Sequence, residues 1–150
     1  MKVSELMTGV PLITSTPDTA VLDARQLMLK ERIRHLLVTE TDGKLVGIVT
    51  DRDIRLNLPS QATSLSVWEI NHLLTKLTVG EVMTRTVITI GSGSAARDAA
   101  VLMLDNSIGA LPVTERGRLI GIITETDIMR EFVWLTGGPA SSHPEPRRRS

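Results

Sequence analysis

The sequence predicts an α/β protein in which two β-α-β-β-α repeats pack as a pseudo-twofold pair. The first observation is internal repetition, because Val3–Thr8 returns as Val79–Thr84 and Leu45–Ile54 returns as Leu119–Ile128, at nearly the same spacing. The second is the length of 150 residues, which leaves each copy too small to bury a substantial core alone. Packing the copies together would cover sheet faces that neither could bury by itself.

Each copy contains an amphipathic helix near its start. Apolar side chains recur there at the spacing of one helical face. The positions are Val21, Ala24, Leu27 and Met28 in the first copy and Ala96, Ala99, Leu102 and Met103 in the second.

A hairpin and a second helix complete each copy. Short β-branched runs on either side of a Gly-bearing turn predict a hairpin, and the turns are Thr41–Gly43 and Arg116–Gly117. The predicted strands and the helix that follows are 36–38, 45–49 and 51–56 in the first copy and 110–113, 119–123 and 125–135 in the second.

We divide the chain into repeat one (1–58), a connector with a helix (59–77), repeat two (78–135) and a flexible tail (136–150). Ser66 with Glu69, and Thr78 with Glu81, have the spacing of helix-capping boxes. We expect Trp68 to pack in the core or between the repeats, and an external docking face is the alternative.

Composition excludes several classes of function. Lys plus Arg and Asp plus Glu each total 17, whereas non-specific nucleic-acid binding needs surplus cations. Aromatic residues make up 2% of the chain, too few for base-stacking platforms. The chain lacks cysteine and any apolar run long enough to span a membrane. We therefore expect a cytoplasmic protein without nucleic-acid or membrane partners.

Catalytic and metal-binding patterns are also absent from the sequence. His35, His72 and His143 lack metal-ligand spacing, and there is no phosphate-binding Walker loop or nucleophile-elbow motif. Asp51 and Asp53 are a poor acid–base pair, because alternate residues at a helix start point in different directions. We predict no enzymatic activity, no metal and no catalytic cofactor.

The most informative motifs are Thr50–Asp53 and Thr124–Asp127, each at a predicted strand-to-helix junction. A Thr with an Asp three residues later can simply cap a helix. The same groups can hold a nucleotide, with the hydroxyl on phosphate and the carboxylate on the ribose hydroxyls. Their duplication at equivalent positions favours the second interpretation. Gly47 and Gly121, just before the junctions, leave room for a ligand or another backbone.

These motifs resemble the terminal signature of CBS domains, named for cystathionine β-synthase. The matching sequences are Gly-Ile-Val-Thr-Asp-Arg-Asp-Ile (47–54) and Gly-Ile-Ile-Thr-Glu-Thr-Asp-Ile (121–128). The Met-Thr openings, 34–38 and 109–113 match the rest of the pattern, over about residues 1–135. The connector sequence 68–74 also resembles stand-alone bacterial CBS-pair proteins, including those of acetoin utilisation.

The resemblance implies a set of ligand-binding residues. It places Asp53 and Asp127 on ribose and Thr50 and Thr124 on phosphate. The residues that it adds are Arg52 and Thr126 before each Asp, Ile33, Ile108, Gly109 and Ala110 at the adenine pocket, Arg34 and His35 toward the phosphate of the neighbouring site, Val10 and Val87 as apolar walls, and Pro112, which stands where the first copy has Leu37.

Three functions remain open from the sequence. The favoured one is a regulatory module that binds AMP, ADP, ATP or a related adenosyl ligand (S-adenosylmethionine and NAD being less favoured) between the repeats and signals to an unidentified protein. The second is a structural protein that dimerises through its helices without ligand. The third is a hydrolase of the bound nucleotide. We also expect a homodimer, because helices 51–56 and 125–135 carry more apolar side chains than the sheets can cover.

Overall fold

The computed structural model describes residues 1–58 and 64–138. These form two compact units, one of Ile13–Val87 and the other of Met1–Leu12 with the described residues from Ile88 onward. The tail residues 139–150, with their arginine run, and connector residues 59–63 lie outside the described residues. No helix among the described residues is long and apolar enough to cross a membrane.

The unit Ile13–Val87 contains a three-stranded sheet of order β2-β3-β4. Strand β2 is parallel to β3, and β3 and β4 form the predicted antiparallel hairpin. Its elements are β2 (Thr14–Ser15), α2 (Val21–Glu31), β3 (His35–Thr39), β4 (Leu45–Thr50), α3 (Asp51–Leu56), α4 (Val67–Lys76) and α5 (Val79–Val82). Val21, Ala24 and Met28 of α2 are buried against the sheet residues Leu36, Val38 and Val49, as their spacing predicts.

The other unit contains a four-stranded sheet of order β1-β7-β6-β5. Its elements are α1 (Val3–Leu6), β1 (Thr8–Gly9), β5 (Ile90–Gly91), α6 (Ala96–Asn106), β6 (Ala110–Glu115), β7 (Arg118–Thr124) and α7 (Glu125–Leu135). Ala99 and Met103 of α6 pack into a core with Leu111, Val113 and Ile123. The β-α-β-β-α order and the bounds of α3 and α7 confirm the prediction for both copies.

The opening segment of each repeat packs on the other repeat. Strand β1 pairs with β7, with Thr8 opposite Ile122. In the same way, Thr84 and Ile48 exchange two backbone hydrogen bonds of 2.9 and 3.1 Å. The compact units therefore cut across the sequence repeats, and the chain passes between units after Leu12 and after Val87.

Gly47 and Gly121 make these exchanged pairings possible. A Cβ atom added at Gly47 would lie 2.5 Å from Met83 Sδ, and one at Gly121 would lie 2.6 Å from Met7 Sδ and 2.8 Å from the Thr8 carbonyl oxygen. The missing side chain thus admits another segment of backbone, which was one of the two predicted reasons for glycine here.

The connector differs from expectation in two places. Ser66 caps α4 as predicted, accepting a 3.2 Å hydrogen bond from the Glu69 N–H. Trp68 is 74% exposed and stacks on His72 with ring centroids 5.5 Å apart, so the core prediction is wrong. Its helix buries Leu74 instead. At Thr78, the side chain makes no cap hydrogen bond, so the second predicted box is also wrong.

Candidate ligand-binding site

The first junction lies where β4 ends and α3 begins. Thr50 accepts a 3.2 Å hydrogen bond from the Asp53 N–H through Oγ1. In return, Asp53 Oδ2 accepts bonds from the Thr50 N–H and hydroxyl at 2.8 and 3.0 Å. Both residues are half-buried, so the pair is a capping box in a partly dehydrated position.

The second junction, between β7 and α7, has the same geometry. Asp127 Oδ2 accepts from the Thr124 N–H and hydroxyl at 2.8 and 3.1 Å. Thr124 Oγ1 accepts from the Asp127 N–H at 3.4 Å. An additional bond, from the Glu125 N–H to the Gly109 carbonyl oxygen at 2.9 Å, ties the start of α7 to the β6 entrance.

The capping bonds determine how many hydrogen bonds Thr50 and Asp53 can still make to a ligand. A threonine hydroxyl has one proton to donate, and in this structure Thr50 donates it to Asp53. Thr50 can therefore donate to a phosphate only if that bond is released. The carboxylate has about four acceptor sites, and the capping bonds to Thr50 use two of them, both at Oδ2.

The unit Ile13–Val87 contains the first set of predicted residues. His35 begins β3 directly opposite Thr50 in the antiparallel register, so their side chains share a sheet face. Arg34 and Arg52 are exposed, and Ile33 is half-buried. Val87, also half-buried, ends the unit.

The other unit holds the second set. Ala110 lies opposite Thr124, and Pro112 lies opposite Ile122. Both Ala110 and Pro112 are buried, the side chain of Pro112 completely. The remaining members are half-buried Ile108 and Gly109, exposed Thr126 and Val10, which is 61% exposed.

Two features of the junctions were not predicted. Asp51 forms an ion pair with Arg55 at 3.2 Å, one helical turn away at the first junction. Met7 and Met83 fill the space above Gly121 and Gly47, a pairing that the joint recurrence of the Met-Thr and Gly motifs could have indicated. The described residues contain no group of three His, Asp or Glu side chains able to hold a metal ion.

Comparison with known proteins decides the family. The model of the CBS domain matches residues 3–60 and 79–133. The chain belongs to the CBS domain family. This confirms the resemblance found in the repeated motifs, and the mixed α/β fold is that of CBS-pair structures.

Three solved structures resemble this CBS pair. CBSX2, crystallised in complex with AMP, is 31% identical with a TM-score of 0.75, covering 91% of this chain and 99% of that one. A Vibrio cholerae protein assigned to acetoin utilization is 29% identical with a TM-score of 0.74, covering 96% and 98%. The CBS pair of protein MJ0100, in complex with 5′-methylthioadenosine and S-adenosyl-L-methionine, is 30% identical with a TM-score of 0.73, covering 90% and 98%.

The curated relatives include much longer proteins. An uncharacterized protein of Methanocaldococcus jannaschii is 35% identical, and the CBS pair spans 81% of its own length and 44% of that protein. An L-aspartate semialdehyde sulfurtransferase of the same organism is 32% identical, and the pair spans 21% of it.

Proposed function

We propose that this CBS pair is a regulatory module that binds an adenine nucleotide, AMP, ADP or ATP, at its Thr–Asp junctions and signals to a partner protein. The observation that carries the proposal is the duplicated geometry of Thr50–Asp53 and Thr124–Asp127. Corresponding hydrogen bonds at the two junctions differ by at most 0.2 Å.

The chemistry of the carboxylate supports a ribose contact. A ribose presents two neighbouring hydroxyl donors, and a half-buried carboxylate such as Asp53 has acceptor sites beyond those used in capping. Hydrogen bonds to a charged acceptor contribute about 1.5–3 kcal/mol each. Partial burial strengthens them, because the surrounding dielectric is lower than in water.

The ligands of related proteins support the same class. CBSX2 was crystallised with AMP, and the pair of MJ0100 with 5′-methylthioadenosine and S-adenosyl-L-methionine. All three ligands contain an adenosine moiety, which is the part that a carboxylate at the ribose would hold. We rank AMP, ADP and ATP above S-adenosylmethionine and NAD.

A ligand screen tests the proposal directly. Thermal unfolding should be followed with AMP, ADP, ATP, S-adenosylmethionine, NAD and, as a control, GMP. A ligand at a hundred times its Kd stabilises the folded state by about 2.7 kcal/mol, which is readily measured. No shift with any adenosyl compound at millimolar concentration would overturn the proposal. Chromatography of the nucleotides after incubation separates a sensor, which returns them unchanged, from a hydrolase.

We also propose that the module forms a homodimer through α7. Four large apolar side chains of this helix, Met129, Phe132, Val133 and Leu135, are between 53% and 64% exposed. Leu56 at the end of α3 is 70% exposed. Closed twofold dimers are the commonest way to cover such surfaces. The same exposed faces favour the alternative of a structural protein that dimerises without ligand, and the ligand screen distinguishes the two.

A further inference from the structure

Met7 and Met83 occupy equivalent positions in the two exchanged segments. Met7 Sδ lies 2.6 Å from the position that a Cβ atom of Gly121 would take, and Met83 Sδ lies 2.5 Å from the corresponding position at Gly47. Each thioether therefore fills the space that a missing side chain leaves on the partner strand. A thioether can be oxidised to a polar sulfoxide, so each exchanged pairing has a redox-active group beside it.

Met7 differs from the other methionines in combining access to solvent with a packed position. The chain has six methionines and no cysteine, so thioethers are its only sulfur groups. Three methionines are core residues that are at most 8% exposed, namely Met28, Met83 and Met103. Two others, Met1 and Met129, are more than half exposed. Met7 is half-buried and packs against the core of its unit. A small oxidant can therefore reach the Met7 sulfur, and the reaction changes a packed side chain.

The Met7 side chain and the strand that follows it approach β7 together. The Thr8 carbonyl oxygen lies 2.8 Å from the same Cβ position at Gly121, and Thr8 pairs with Ile122. Strand β1 has two residues, so few backbone hydrogen bonds hold it on β7. The pairing of β1 with β7 thus depends on the packing of the segment that contains Met7.

We propose that Met7 is a redox-sensitive latch, at which oxidation of the thioether by hydrogen peroxide releases β1 from β7. The sulfur lone pair attacks one peroxide oxygen, an S–O bond forms and the O–O bond breaks. Sulfur is oxidised to the sulfoxide, and the other oxygen is reduced and leaves as water with both peroxide protons. The new oxygen is a hydrogen-bond acceptor close to the Thr8 carbonyl oxygen, which is also an acceptor, so burying it there is unfavourable.

Release of β1 makes β7 an edge strand. Strand β7 lies between β1 and β6 and ends at Thr124 of the second junction. Without β1, one side of β7 presents unpaired backbone N–H and C=O groups. Methionine sulfoxide reductases restore the thioether, so the change is reversible. The buried thioether of Met83 is shielded, and the sheet of the unit Ile13–Val87 keeps its pairing.

Peroxide treatment of the full chain, followed by hydrogen exchange, tests this proposal. Mass spectrometry of peptides measures the sulfoxide at each methionine. Once Met7 is oxidised, the amides that join β1 to β7 should exchange about ten-fold or more faster. The amides that join β3 to β4 should not change. Treatment with methionine sulfoxide reductases should restore slow exchange.

Variants assign the effect to Met7. Met7→Leu keeps the apolar volume but lacks the sulfur, so its β1–β7 amides should stay protected in peroxide. Met7→Gln places a polar group there and should speed their exchange without peroxide. Met129→Leu, at an exposed position on α7, controls for oxidation elsewhere and should respond as the unmodified chain does.

Three results would overturn the proposal. The first is unchanged exchange of the β1–β7 amides in chains that carry the sulfoxide at Met7. The second is an equal increase of their exchange in peroxide-treated Met7→Leu. The third is a folded chain in which Met1 and Met129 are fully oxidised while Met7 is not, because the Met7 sulfur would then be out of reach. None of these measurements depends on a bound nucleotide, so they test the latch separately from the proposed function.

Discussion

A single oxygen of Asp53, Oδ2, accepts hydrogen bonds from both the backbone N–H and the hydroxyl of Thr50. Helix capping and the proposed ligand binding therefore depend on the same carboxylate. The two roles respond differently to substitution, since asparagine can cap a helix but has lost the charge and one acceptor oxygen.

Substitutions at Asp53 and Asp127 should separate stability from affinity. Asp→Ala should lower the free energy of unfolding by about 0.5–2 kcal/mol, the usual value of a cap, and also abolish or strongly weaken nucleotide binding. The Asp→Asn variants should fold normally, and their binding free energy for the nucleotide should be weaker by about 1.5–3 kcal/mol. Urea unfolding and calorimetry measure the two quantities. Unchanged affinity in both Asn variants would assign these residues to capping alone.

The glycines beneath the exchanged segments should not tolerate a methyl group. Gly121→Ala should destabilise the protein by about 1–3 kcal/mol, the typical cost of overpacking, because the added Cβ would lie 2.8 Å from the Thr8 carbonyl oxygen. Gly47→Ala should cost less, since the nearest backbone atom to its added Cβ, the Thr84 carbonyl oxygen, lies 3.0 Å away, and the closer atoms at both sites belong to movable methionine side chains. Gly93→Ala, where nothing lies within 4 Å, is the matched control in urea unfolding. An equal loss of unfolding free energy at all three positions would contradict the conclusion that Gly47 and Gly121 make room for the exchanged segments.

The turn between β6 and β7 offers a stabilising substitution. Arg116 has φ of 52° and Gly117 has φ of 77°, a left-handed pair in which Asn-Gly is the preferred sequence. Arg116→Asn should therefore raise the free energy of unfolding by about 0.5 kcal/mol, because asparagine adopts this conformation at lower cost than arginine. Arg118→Asn, in the adjoining strand, should not stabilise. A lower melting temperature for Arg116→Asn would refute the prediction.

A charge on α7 should disrupt the proposed dimer. Phe132 is 60% exposed, so Phe132→Glu should leave the unit folded while preventing burial of that face against a second copy. Light scattering should change from twice the monomer mass to the monomer mass. Lys44→Glu, in the exposed β3–β4 turn, should remain dimeric. A monomeric unmodified chain at micromolar concentration would rule out the interface.

Local patterns predicted most of each repeat. The period-3.6 spacing of Val21, Ala24 and Met28 and the turn chemistry at Arg116–Gly117 are consequences of the local backbone, and the structure confirms both. The Thr–Asp pairs were predictable for the same reason, since capping joins residues three apart.

Long-range relationships were not predictable in this way. The openings at Met7 and Met83 have nearly the same local sequence, so nothing within either segment specifies which repeat it joins. The exposure of Trp68 was missed because a hydrophobic pattern shows that an apolar face exists, without showing whether the chain itself covers that face.

The exchange of opening segments sets an order for folding during synthesis. Ile13–Val87 is continuous, so it can complete its sheet as soon as it has left the ribosome. Met1–Leu12 is made before this unit, yet its partner strand β7 is made more than a hundred residues later. These early residues are thus among the last to acquire backbone protection. In refolding of the complete chain, the same long sequence separation should delay the pairing of β1 with β7. Pulsed hydrogen exchange should detect late protection of the β1 amide that bonds to β7, relative to the amides of β3 and β4.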